Sequence, residues 1–179
     1  MMKKILVILC AILLFTGCSC SLNDTKPEEA VETFFEKYRN KDDNIITQLM
    51  DTIENEDLTD DAKKDYQDLM EKQYDQFAYV IKDMKEENNE ATATVELTVL
   101  NYRSAILKAE EELESNPEKF NDEEGNISEE KYMNYKIEKM QEVTDTTTHT
   151  IELSLTKENG MWKVNQLSSD DISKLHGLY

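Results

Sequence analysis

The chain reads as an α+β domain in which N-terminal helices pack on a curved antiparallel sheet made of two hairpins, with a helical insertion between the hairpins. Three observations carry this expectation. Val31, Phe34, Phe35 and Tyr38 recur at helical spacing. Residues 91–99 alternate cleanly, with Ala93, Val95, Leu97 and Val99 on one side and Thr92, Thr94, Glu96 and Thr98 on the other. Asn159-Gly160, the pair best suited to the positive φ angles of a type I′ turn, separates two further alternating runs.

Taken in chain order, Thr25 with Glu28 three residues on, and Pro27 in the first turn, predicts a helix start. A second amphipathic stretch carries Ile45, Ile46, Leu49, Met50 and Ile53 on one side. Thr59, backed by Asp60 and Asp61, is placed to cap a third helix. Its stripe is Ala62, Tyr66, Leu69, Met70, Gln73 and Phe77, with Gln73 a polar gap.

Near Ala78 the period changes from about 3.6 to 2. With Asn88-Asn89 as the turn, Met84 is expected opposite Ala93 and Val80 opposite Leu97, all on one apolar face. Lys82 interrupts that face and reads as a snorkelling lysine. Helical character returns over 104–115 until Asn116-Pro117, followed by a polar loop over 118–127. Ser128 then caps a helix bearing Met133, Ile137 and Met140.

The closing hairpin is expected over 147–156 and 161–167. Counting out from Asn159-Gly160 places Leu155 opposite Val164 and Lys157 opposite Trp162, so Ile151, Leu153, Leu155, Trp162 and Val164 share a side. A short helix over 170–176, ended by Gly177, completes the chain.

Ahead of this domain, Met1, Met2, Lys3 and Lys4 precede eleven uncharged residues, 5–15, which is a signal-peptide layout and too short for the ~20 apolar residues of a membrane span. Leu14-Phe15-Thr16-Gly17-Cys18 resembles a bacterial lipobox, with bulky Phe15 as its one departure. That resemblance implies cleavage before Cys18 and attachment of lipid to it. The expected product is a protein held on the outer face of the bacterial plasma membrane, with residues 18–26 as tether and 27–179 as a single domain. Cys20 lacks an apolar residue where the lipobox wants one, and Cys10 falls in the removed leader. With Cys18 acylated, Cys20 has no intramolecular partner, so the fold must rest on its core.

The formal net charge is −19, and the leader carries two lysines, so the processed chain sits near −21. Such a surface repels nucleic acid and anionic lipid, and points to a cationic or protein partner at the cell surface. Eight tyrosines and five phenylalanines supply a core. The glycines left after processing are Gly125, Gly160 and Gly177, from which no phosphate-binding loop can be built, and no cofactor is implied.

Residues 27–35 (Pro-Glu-Glu-Ala-Val-Glu-Thr-Phe-Phe), the threonine-rich run 91–99 and the closing Gly160-Met161-Trp162-Lys163-Val164 resemble small Gram-positive lipoproteins of unknown function with a cystatin-like or ketosteroid-isomerase-like (nuclear-transport-factor-like) roll. The resemblance covers about residues 27–167. It implies a curved sheet with a helix-covered concave face and carries over no catalytic residue. The long helical insertion departs from the simplest roll.

His149 and His176 are the two histidines. His149 shares strand parity with Ile151 and Leu153 and is expected toward the core end of the concavity, while His176, in a last helical turn, is accounted for by the helix dipole. The run 121–127 echoes a calcium loop, but aligning Gly125 with the sixth position puts Phe120 and Lys131 where the first and last carboxylates belong, so no metal site is expected. Asn126-Ile127-Ser128 matches a glycosylation sequon, which carries little meaning in a bacterial lipoprotein. There is no serine elbow and no metal-type His or Cys cluster, and no catalytic residue is assigned. The expectation is a binding or interaction module. The alternative is a small hydrolase or isomerase working through carboxylates buried in the concave pocket.

Overall fold

The computed structural model describes residues 25–55 and 58–179. The expected leader, Cys18 and Cys20 lie outside them. Among the described residues, six α-helices, α1 (Pro27–Arg39), α2 (Asp43–Glu54), α3 (Asp60–Gln76), α4 (Tyr102–Ser115), α5 (Glu129–Gln141) and α6 (Ser169–Leu175), accompany one four-stranded antiparallel sheet. The strands are β1 (Ala78–Glu87), β2 (Glu90–Leu100), β3 (Thr146–Glu158) and β4 (Met161–Val164), in the order β1-β2-β3-β4. The two hairpins join through the long β2–β3 ladder, which runs from Glu90 opposite Thr156 to Leu100 opposite Thr146. The fold is therefore the α+β class expected.

Caps fall where short polar side chains precede helices. Thr59 Oγ1 accepts the Ala62 N–H, Ser128 Oγ that of Lys131, and Ser168 Oγ that of Asp171. The helix at residue 27 starts differently from the expectation: the Glu29 carboxylate accepts the Lys26 N–H at 3.3 Å, half of a capping box one residue later than Thr25. Thr25 is used instead on the sheet. Its N–H donates to the Gly160 carbonyl at 3.1 Å and its hydroxyl accepts the Trp162 N–H at 2.9 Å, so the end of the expected tether is stitched to β4. Asn159 (φ +52°) and Gly160 (φ +84°) form the β3–β4 turn with both φ angles positive.

The β1–β2 register corrects one expectation. Met84 does oppose Ala93, but Val80 opposes Glu96, Tyr79 opposes Leu97, and a bulge separates Ile81 from Asp83. The apolar residues of β1 sit at 79, 81 and 84, a spacing that changes parity, and one extra residue restores them to a common face. Lys82 is that residue. It pairs with Glu96 at 3.2 Å, and Val80 is left half exposed.

The inner face of the sheet (Ala93, Val95, Leu97, Ile151, Leu153, Leu155 and Trp162) is buried in one cluster with Val31 and Phe35 of α1, and with Leu69, Met70 and Tyr74 of α3. Phe35 stacks on Tyr79 at 4.3 Å and meets Phe77 at 5.7 Å. Each such buried aromatic contributes about 2–3 kcal/mol, which is why the most aromatic helix lies on the sheet. A residue expected in a loop also belongs to the interior: Phe120, in a 3₁₀ turn over Pro117–Phe120, is buried against Tyr132 and Tyr135.

Candidate functional site

The inner face of the sheet is largely packed. Most of its apolar side chains are solvent-free, and two neighbouring pockets, termed the two lobes of a cleft, lie where α2 and α3 face the C-terminal segment and α5. The first lobe, of about 120 Å³, is bounded by Tyr38, Ile45, Leu49, Tyr74 and His176. The second, of about 220 Å³, is bounded by Leu58, Ile106, Met133, Met140 and Leu178. Thr52 and Tyr66 line both. Helical spacing produces this wall, because Leu49 and Thr52 of α2 lie one turn apart, as do Met133 and Ile137 of α5.

The polar end of the cleft is a pair of neutral groups. His176 Nε2 lies 3.0 Å from Tyr74 Oη. Burial pushes the imidazole pKa down to about 4 and holds the Tyr74 phenol well above its usual range. This revises the reading of His176 as a dipole-stabilised cation: the helix end favours charge by a few tenths to about 1 kcal/mol, and desolvation of the ring outweighs it.

Next to this pair, Gln73 is the one buried polar side chain among the described residues. Its Oε1 accepts the Leu100 N–H and its Nε2 donates to the Leu175 carbonyl, each at 3.0 Å, tying α3 to the end of β2 and to α6. The gap in the α3 stripe is thus a structural clasp. Its signal in the sequence was a lone amide on an otherwise apolar stripe.

His149 lies on the inner side of β3 opposite Leu97, as its parity required. Its Nε2 is buried without a hydrogen-bond partner, and its ring meets Tyr179 edge-on at 5.8 Å. Burial and the nearby Lys174 charge lower its pKa. It does not share a pocket with Trp162: His149 is near the start of β3, while Trp162 pairs with Lys157 near the other end.

The 121–127 loop is satisfied internally. Asp122 Oδ1 accepts the N–H groups of Glu124 and Asn126 at 2.9 Å each, and these bonds hold its carboxyl below the usual range. Among the described residues no group of three or more His, Cys, Asp or Glu side chains is placed to hold a metal.

A second, more open groove of about 410 Å³ runs between α1 and β4, lined by Thr25, Phe34, Lys37, Met161 and Trp162. It flanks the point where the chain enters the domain. Comparison of the chain with protein-family profiles, with curated proteins and with solved structures finds no match, so the roll resemblance rests on the motifs quoted for it.

Proposed function

We propose that this is a lipid-anchored extracytoplasmic binding module, carried on the outer face of the plasma membrane by acylated Cys18, with the two-lobed cleft as its ligand site. The observation that carries the reading is that the space where α2 and α3 face α5 and α6 stays open while being lined largely by apolar side chains.

The placement supports an anchored receptor. Thr25 is fixed to β4 at the N-terminal end of α1, and Tyr38, at the other end of this helix of about 20 Å, lines the cleft. Six residues lie between Cys18 and Thr25, and the stretch spans at most about 25 Å. Thr25 and the cleft thus lie toward opposite ends of α1. Among the described residues no helix is long and apolar enough to cross a membrane.

The hydrolase or isomerase reading requires a buried carboxylate. The buried polar side chain among the described residues is the amide of Gln73, and both ends of it are occupied. No observation favours that reading.

The test is photo-crosslinking in intact cells from a photoreactive residue at Gln48, on the rim of the first lobe. A crosslinked species that disappears when Thr52→Trp fills the cleft supports the site. Capture that is indifferent to Thr52→Trp removes the cleft from the function.

A further inference from the structure

The chemistry of the cleft restricts what it can hold. In a chain with 39 acidic residues, neither lobe is lined by an aspartate or glutamate among the described residues. The first lobe has no charged lining side chain at all, and its floor is the Tyr74–His176 hydrogen bond. Whichever partner supplies that proton, the Tyr74 oxygen keeps a free lone pair directed away from the bond. A ligand hydroxyl or amide N–H can use it. A ligand ion would meet two neutral groups and be left uncompensated in a desolvated site.

The second lobe is apolar and adaptable. Met133 and Met140, flexible thioethers, stand opposite Ile106 and Leu58, and its volume exceeds the roughly 150 Å³ of an apolar cavity known to hold a benzene ring. Lys136 is at its edge, 5.7 Å from the Tyr132 ring. Thr52, which lines both lobes, donates its hydroxyl to the Gln48 carbonyl at 2.9 Å.

From this geometry we infer that the cleft takes an uncharged, largely apolar molecule with one hydrogen-bonding end, the polar end seated on the Tyr74–His176 pair and the body passing Tyr66 into the methionine-lined lobe. The inference rests on the proposed binding role and specifies the ligand's class.

Methyl-labelled methionine in the chain from Cys18 to Tyr179, expressed without lipid in reducing buffer, provides the readout. Met133 and Met140 report the second lobe, Met161 reports the α1–β4 groove, and Met84, on the sheet, is the internal control. The probes are 4-propylphenol, 4-propylbenzoate and protonated 4-propylbenzylamine. Saturable shifts of Met133 and Met140 with the phenol, at least tenfold weaker with either ion and abolished by Thr52→Trp, are expected. Thr52 is exposed, so this variant keeps the fold, and an unchanged Met84 signal verifies it. Tyr74→Phe should weaken the phenol several-fold while leaving propylbenzene unaffected.

Equal binding of the three probes, tighter binding of the benzoate through Lys136, or shifts confined to Met161 would each overturn the inference. Absence of any saturable shift does the same. The two proposals fail separately: if the probes do not bind but the Gln48 crosslink still depends on Thr52, the ligand class is wrong and the binding site stands.

Discussion

Acidification should weaken this fold through His176, by an amount that follows from its surroundings. The ring ionises near 6.5 in an unfolded chain and near 4 in the folded one, because burial disfavours the imidazolium. The folded pKa is depressed, so above pH 6.5 both states are neutral and nothing is lost. As pH falls below 6.5 the unfolded chain takes up the proton first, and stability declines until about pH 4, below which both states are charged. The full difference is about 3 kcal/mol, of which about 2.5 kcal/mol is lost by pH 4.5. The measurement is a double difference. Urea unfolding of the wild type and of His176→Gln, at pH 7 and pH 4.5, cancels what the two proteins share. The wild type should lose about 2.5 kcal/mol more than the variant over this interval. Parallel losses in both proteins, or an NMR titration of the His176 ring centred near 6.5, would refute the assignment of His176 as a buried neutral group.

Gln73→Leu strands the Leu100 N–H and the Leu175 carbonyl in the interior and should cost about 3 kcal/mol in denaturant unfolding, with hydrogen exchange of the Leu100 amide accelerated first. Gly177→Ala should destabilise by more than about 1 kcal/mol in a thermal melt, since φ is +71° and an added Cβ would collide with the Leu100 carbonyl. Trp162→Ala, truncating a side chain that is 5% exposed, should cost about 3 to 5 kcal/mol; a loss below 1 kcal/mol would take Trp162 out of the core and give the α1–β4 groove a functional role. Cys18→Ala should abolish metabolic labelling with a fatty acid and release the protein from the membrane fraction, whereas label lost only on changing Cys20 would shift the anchor by two residues.

The legible parts of the sequence were those in which one period repeats without interruption. The β2 alternation, the Asn159-Gly160 turn and the α1 stripe each set local geometry and a buried face at once, and the register of Leu155 with Val164 follows from counting alone. What escaped were features in which a local pattern yields to a contact distant in sequence. Lys82 broke a period, and a broken period is compatible with a snorkelling side chain or with a bulge; only the pairing partner, β2, decides. Thr25 looked like a cap, but the Trp162 N–H of β4, 137 residues away, competes for the same hydroxyl. His176 was assigned from its own helix, while the residue that matters to it, Tyr74, sits 102 residues earlier. The cleft was invisible for the same reason, being formed between elements rather than within any one of them.

Residues 171–179 tie several elements together. The Gly177 carbonyl accepts the Arg103 N–H at 2.8 Å at the start of α4, Leu175 is clasped by Gln73, and His176 closes on Tyr74. Tyr179 covers His149, and Lys174, paired with Asp171 at 3.1 Å, lies over the Tyr179 ring. The same short segment supplies Ile172 and His176 to the first lobe of the cleft and Leu178 to the second. Docking of the C-terminus and completion of the cleft are thus one event: a molecule that binds the finished cleft draws its free energy only from chains in which α6 is seated, and by mass action it stabilises that seating by about 2.7 kcal/mol at a hundredfold excess over its dissociation constant. Gln73 serves both ends of this coupling, holding the segment that forms the site without touching what the site would hold.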